Sequence, residues 1–148
     1  MKDPLIDLLS ASVAKSEKAA ARLEESFVKV HAFIRRKRYS SSQLEILESF
    51  SARFARLNDL LVKQAFRTIE RIDLDESGTY RDSIILAEKK DLIESAGKFL
   101  KAREVRNLIS HEYEDEEINA LYKSVFELTP VLLDSVKRVK KYILKYKR

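Results

Sequence analysis

Apolar positions recur along this chain in steps of three and four, the spacing of amphipathic helices. Leu5, Leu9, Val13, Ser16, Ala20, Leu23, Phe27, Val30 and Ile34 form the first stripe. Asp3 and Pro4 open it as N-cap and first helical residue. Arg35-Arg36-Lys37-Arg38 closes it, cations being favourable at a helix C-terminus. After Ser40-Ser41-Ser42, with Ser42 and Glu45 spaced as a capping box, comes a second stripe of Leu47, Phe50, Phe54, Leu57, Leu61, Thr68 and Ile72. Its phenylalanines, Phe66 included, are expected in the core.

The run Asp73-Leu74-Asp75-Glu76-Ser77-Gly78 predicts a loop. Thr79, with Asp82 three residues on, predicts the cap of a shorter helix ending near Lys90-Asp91. Ser95 caps the next helix, expected from about Ala96 to His111, with Phe99, Leu100, Val105, Leu108 and Ile109 facing the core. Asp115 is the expected N-cap of a last helix with the stripe Ile118, Leu121, Val125, Leu128, Leu132, Val136, Val139, Ile143 and Tyr146. Thr129-Pro130 predicts a kink or break within it, since proline removes a backbone donor and suits a first helical position. The expected fold is all-α: an up-and-down antiparallel bundle of four main helices plus a shorter one, forming a single domain over residues 1–148.

Composition narrows the chemistry. The 148 residues contain no cysteine and two histidines, so neither a disulfide framework nor a thiolate or histidine-rich metal site is expected. No Gly-rich phosphate loop is present, which disfavours an NTPase; no cofactor is expected. The chain has no apolar run near the roughly 18 residues that cross a bilayer, and its N-terminus lacks a signal-type apolar core. No membrane association and a cytoplasmic location are therefore expected. A net charge of +5 agrees with a polyanionic partner. Arg35, Arg36, Lys37 and Arg38 are candidate contacts to an RNA backbone, besides their role at the helix end. The Ser- and Ala-rich early part of the first helix suits close approach of another helix, at a dimer seam or simply as good helix formers.

The densest candidate chemistry is Arg106-Asn107-Leu108-Ile109-Ser110-His111-Glu112-Tyr113. At about 100° per residue, a helix continued to His111 puts Arg106, Ser110, Asn107 and His111 on one arc, with Val105, Leu108 and Ile109 on the other. Tyr113 returns to within about 20° of Arg106. An imidazole exchanges protons near neutral pH, and a guanidinium offers a planar fork of donors to phosphate oxygens. An amide at Asn107 can orient either. This set suits cleavage of a phosphodiester. It equally fits an outward polar face whose Arg106 or His111 pairs with Glu112 or Glu114.

Arg106, Asn107, His111 and Tyr113, late in a helical chain of this length, match an R-N-x-x-x-H-x-Y pattern that resembles the HEPN superfamily. More narrowly it is similar to HepT-like toxins encoded beside a minimal nucleotidyltransferase (MNT). The resemblance is sharpest from about Ile93 to Tyr113. It implies a homodimer that brings two motifs into one metal-independent RNA-cleaving site, with Arg106, Asn107 and His111 catalytic. It also implies an MNT partner acting as antitoxin, which silences the toxin by transferring AMP to Tyr113. The runner-up is a non-catalytic substrate-binding or accessory subunit of a nucleotidyltransferase. A third reading is a purely structural helical dimer.

Overall fold

A computed structural model describes residues 3–111 and 114–146. Among these residues every regular element is helical: α1 (Pro4–His31), α2 (Ser41–Asp59), a π-helical segment (Leu60–Phe66), α3 (Arg67–Ile72), α4 (Tyr80–Lys89), α5 (Ala96–Leu108), α6 (Asp115–Ile143) and a closing 3-10 turn (Leu144–Tyr146). With α2, the π segment and α3 running on as one rod, this is an all-α bundle of four long helices and the short α4. α6 packs against α1 on one side and α5 on the other, and α4 leans on α5. None of these helices is long and apolar enough to cross a membrane.

Local sequence sets most of the boundaries. The Asp3 carboxylate accepts the Leu5 N–H at 2.9 Å, with Pro4 opening the helix. Thr79 Oγ1 accepts the Asp82 N–H at 3.1 Å, and Ser95 Oγ accepts the Lys98 N–H at 3.2 Å. The α2 capping box is formed by Ser40 and Gln43 rather than by Ser42 and Glu45. A run of three serines followed by both Gln43 and Glu45 offers overlapping caps, and the first one is used. At α6 the cap position is occupied by Glu114, with no side-chain capping bond, rather than by Asp115.

Both α3 and α4 end in the left-handed turn usually given to glycine. After α3, Leu74 (φ 59°) sends its N–H to the Arg71 carbonyl while Asp75 N–H bonds the Glu70 carbonyl. After α4, Asp91 (φ 63°) and Leu92 repeat the pattern on Glu88 and Ala87. The sequence carries no glycine at either place, so these stops are invisible to a search for C-terminal glycines.

Pro130 does not break α6, which runs through it to Ile143. Proline there leaves the Phe126 carbonyl without its helical donor. One residue earlier, the buried Thr129 hydroxyl donates to the Val125 carbonyl at 2.7 Å. Thr129 is thus an internal helix residue and not a cap. Continuous burial of Val125, Leu132, Val136 and Val139 along one face holds the helix together across the proline.

The core joins Leu9, Val13, Leu23 and Val30 of α1 to Leu47, Phe50, Phe54 and Leu57 of α2, and to Phe99, Ala102, Val125 and Leu132 of α5 and α6. Ser12, Ser16 and Ala19 are buried within the bundle. The small residues of α1 that remain on the surface are Ser10, Ala11, Ala14 and Ala21.

Two carboxylates anchor the far end of the bundle. Glu70, 3% exposed, accepts the Ser77 N–H at 2.7 Å, the Ser77 hydroxyl, and the Ser83 hydroxyl at 2.5 Å, with Arg67 at 3.9 Å. Burial alone raises its pKa, but these donors outweigh it and leave the carboxyl below its ordinary value. Asp73 receives the hydroxyls of Tyr142 and Tyr146 and the Lys90 ammonium at 2.9 Å, which ties the end of α6 to α3 and α4. Its carboxyl is likewise lowered against the effect of burial.

Candidate functional site

The motif stands at the C-terminal end of α5, and the helix stops earlier than its sequence suggests. Regular α-helix ends at Leu108. Ile109 N–H still bonds the Val105 carbonyl at 3.1 Å, but His111 N–H bonds Leu108, three residues back, at 3.1 Å. The Ser110 hydroxyl donates to the Asn107 carbonyl at 3.2 Å. This tightening changes the directions of the side chains after Leu108 from those expected of an unbroken helix. Leu108, expected in the core, is 43% exposed. Ile109 packs partly against the core, while Asn107, Ser110 and His111 are exposed. Tyr113 and Glu112 lie outside the described residues.

Arg106 is clasped by a partner 47 positions away. Its Nε donates to Asp59 Oδ1 at 2.8 Å and its Nη2 to Oδ2 at 2.7 Å, a fork-on-fork pair at the end of α2. The arginine is thus paired with Asp59, while the expected partner Glu112 lies outside the described residues. Hydrogen bonds from Arg106 hold the Asp59 carboxyl below its ordinary pKa, with Lys63 at 3.7 Å adding to the effect. The same bonds raise Arg106. No sequence signal links Asp59 to Arg106, since the contact is made by packing α5 on the rod. Asp59 immediately precedes the π segment, a distortion often found at functional sites.

Tyr80 and Arg103 complete the surroundings. The Arg103 guanidinium carbon lies 3.8 Å above the centre of the Tyr80 ring. Burial pushes the Tyr80 phenol up to about 12, helped by the Asp59 charge and opposed by Arg103. Arg103 is one turn from Arg106 on α5, so the pair shares a face. Lys63, Arg103 and Arg106 therefore gather near Asp59, and this end of the site is positively biased.

On the other side of α5, a groove of about 810 Å³ separates it from α6, with Val105, Leu108, Leu128 and Val131 on its floor and Glu104 and Glu127 among its rim residues. Arg35, Arg36, Lys37 and Arg38 are all exposed in the turn after α1. The Asn119 amide of α6 donates to the Lys37 carbonyl at 3.3 Å. His31 is exposed, with its ring 5.8 Å from that of Phe126. Among the described residues no group of three or more His, Cys, Asp or Glu side chains is placed to hold a metal ion. No family model, curated protein or solved structure matches the chain.

Proposed function

We propose that this protein is a metal-independent endoribonuclease toxin of the HEPN type, working as a homodimer with an MNT-type nucleotidyltransferase as its antitoxin. The observation that carries the reading is the exposed set Asn107, Ser110 and His111 beside an Arg106 fixed by Asp59. An RNA 2′-oxygen attacks the adjacent phosphorus and the 5′-oxygen leaves. His111 takes the 2′-hydroxyl proton, and His111 of a second copy returns a proton to the leaving oxygen. Two copies are needed because one chain brings one motif histidine. The Arg106 hydrogens not used on Asp59 meet the charge that develops on the phosphate oxygens. Asn107 orients the phosphate or the imidazole. The half-exposed Leu108 and its groove offer apolar surface beside the motif for the second copy. AMP on Tyr113 would bring a phosphate to the motif and repel RNA.

The test is cleavage of several RNAs in EDTA by protein whose intact mass shows Tyr113 unmodified. The expected products carry 2′,3′-cyclic phosphate and 5′-hydroxyl ends, and cleavage that needs a divalent metal would refute the mechanism. Incubation with a small nucleotidyltransferase and ATP is expected to add AMP, and Tyr113→Phe to prevent it.

The clasp on Arg106 also suits the accessory-subunit reading, in which Arg106 is a structural tie. Asp59→Asn separates the two. A positioned catalytic arginine predicts a fall in kcat of about 10²-fold, since displacement of a reacting group by about 1 Å has that effect. A structural tie predicts a lowered unfolding midpoint and no RNA cleavage by any form of the protein.

A further inference from the structure

The basic turn after α1 and the motif belong to the same end of the bundle. α6 begins four residues after His111, at most about 14 Å of chain. Asn119, which holds the Lys37 carbonyl, is about 6 Å further along the helix. The Asn119 backbone is thus within roughly 20 Å of His111, and its side chain touches the turn. Glu127 of α6 borders both the groove beside Leu108 and a cleft formed with Ile34, Arg35 and Lys123. The first half of α6 is therefore a ridge between the motif and the basic turn.

The basic turn and the cations near the end of α6 differ in how far they are neutralised. Near the end of α6 and in the 3-10 turn after it, Arg138 is paired with Asp134 and Asp91, Lys140 with Glu17, and Lys145 with Asp73, while Lys137 and Lys141 have no ion pair among the described residues. Among the described residues no ion pair engages Arg35, Arg36, Lys37 or Arg38. Lys123 lies over the Tyr39 ring, 5.9 Å from its centre, at the foot of the same turn. The turn's backbone is fixed independently of its charges. Phe33 and Ile34 are buried, the Tyr39 hydroxyl donates to the Ile34 carbonyl at 2.6 Å, and Asn119 holds Lys37. Four cations on a fixed backbone, with Glu116 and Glu127 nearby but no ion pair among the described residues, suit the repeating charge of a nucleic-acid backbone more than one compact anion.

We propose that Arg35, Arg36, Lys37 and Arg38, with Lys123, form the surface that holds the phosphate backbone of single-stranded RNA crossing the α6 ridge to the motif. This rests on the nuclease reading for its substrate, but its test reads binding alone. The contacts go to phosphates, so they supply affinity and register and leave sequence preference to the motif end.

The test uses full-length protein carrying His111→Ala, so that bound RNA survives, and fluorescence anisotropy with labelled oligouridine and a mixed-sequence RNA over a series of salt concentrations. Arg35→Gln/Arg36→Gln/Lys37→Gln/Arg38→Gln is expected to weaken binding at least about tenfold. It should also flatten the salt dependence by about 2 to 3 in the slope of log K against log salt, at about 0.7 for each phosphate no longer neutralised. A control, Lys15→Gln/Lys18→Gln/Lys137→Gln/Lys141→Gln, removes equal charge from exposed positions and is expected to retain most of the slope. Equal losses in both variants, or no binding by the His111→Ala parent, overturn the proposal; the latter outcome would leave the turn as a candidate site for an acidic protein. If binding behaves as expected while the His111 form cuts no RNA, the surface stands and the nuclease reading fails. In a form that cuts, the quadruple change should raise KM and leave kcat nearly unchanged.

Discussion

Exchanging His111 for alanine is expected to lower RNA cleavage by about 10² to 10⁴-fold, the range that a positioned proton donor or acceptor contributes. The loss should appear in kcat, because the imidazole moves a proton in the transition state and adds little to the binding of a long RNA. The unfolding midpoint should barely change, since His111 is exposed after the end of α5. A mixed dimer, in which one protomer keeps His111 and the other carries His111→Ala, distinguishes a composite site from two independent ones. Shared chemistry predicts near-complete loss in the mixed species, whereas independent sites predict half the activity. Equal cleavage by both homogeneous proteins would remove His111 from the mechanism.

The largest effect on stability is expected at Glu70. Alanine there leaves the Ser77 N–H and two serine hydroxyls without their acceptor inside the fold, and takes the negative charge from beside the Arg67 guanidinium, which keeps its bond to the Ser77 carbonyl. Breaking a buried charged cluster from one side costs about 3–5 kcal/mol, a large part of the about 5–15 kcal/mol that stabilises a domain. Urea unfolding followed by circular dichroism reads this directly. Glu70→Gln keeps the shape and one acceptor oxygen, and should lose less. A loss below about 1 kcal/mol for alanine, the net worth of one ordinary hydrogen bond, would contradict the anchoring role.

The same cluster sets an acid limit. The folded-state pKa values of Glu70, Asp73 and Asp59 are all depressed, from ordinary values of 4.5, 3.8 and 3.8. Each group therefore contributes stability fully above its unfolded pKa and loses it as pH falls through the folded value. Stability should decline from just above pH 4.5 downward, and Glu70→Gln should remove part of that slope.

The elements that local chemistry encodes are legible in the sequence. Asp3-Pro4, Thr79 with Asp82, and Ser95 each announce a helix start, because a short polar side chain satisfies a nearby N–H whatever the distant packing. The stops are harder to read. Leu74 and Asp91 adopt left-handed backbone that sequence rules assign to glycine, and their surroundings hold them there. Pro130 illustrates the reverse, a local breaker overruled by a buried face that continues on both sides. At the candidate site, Arg106, Asn107 and His111 are visible as residue types. Their arrangement is not, since it depends on α5 tightening after Leu108 and on Asp59 from another helix. Tyr80 and Arg103 carry no motif that would single them out; their significance comes only from contact with each other beside Asp59. Similarly, the stripe residue Tyr146 gives no hint that it shares Asp73 with Tyr142 and Lys90.

The π segment from Leu60 to Phe66 has a consequence for comparing chains. A π turn holds one more residue than an α turn, so the segment behaves as an insertion absorbed without a loop. Deleting one residue between Leu60 and Phe66 would permit a regular helix with everything beyond it nearly in phase, whereas straightening the segment with all its residues kept would turn everything beyond it by about 100°. In that straightened form Glu70 would leave Ser83, and Asp73 would leave its two tyrosines, while Asp59 upstream kept its place under Arg106. A one-residue gap at this point is thus accommodated more easily than one elsewhere in the rod. A relative with an unbroken α-helix here should be one residue shorter, and a gap-free alignment of the two would set Glu70 against the wrong neighbour.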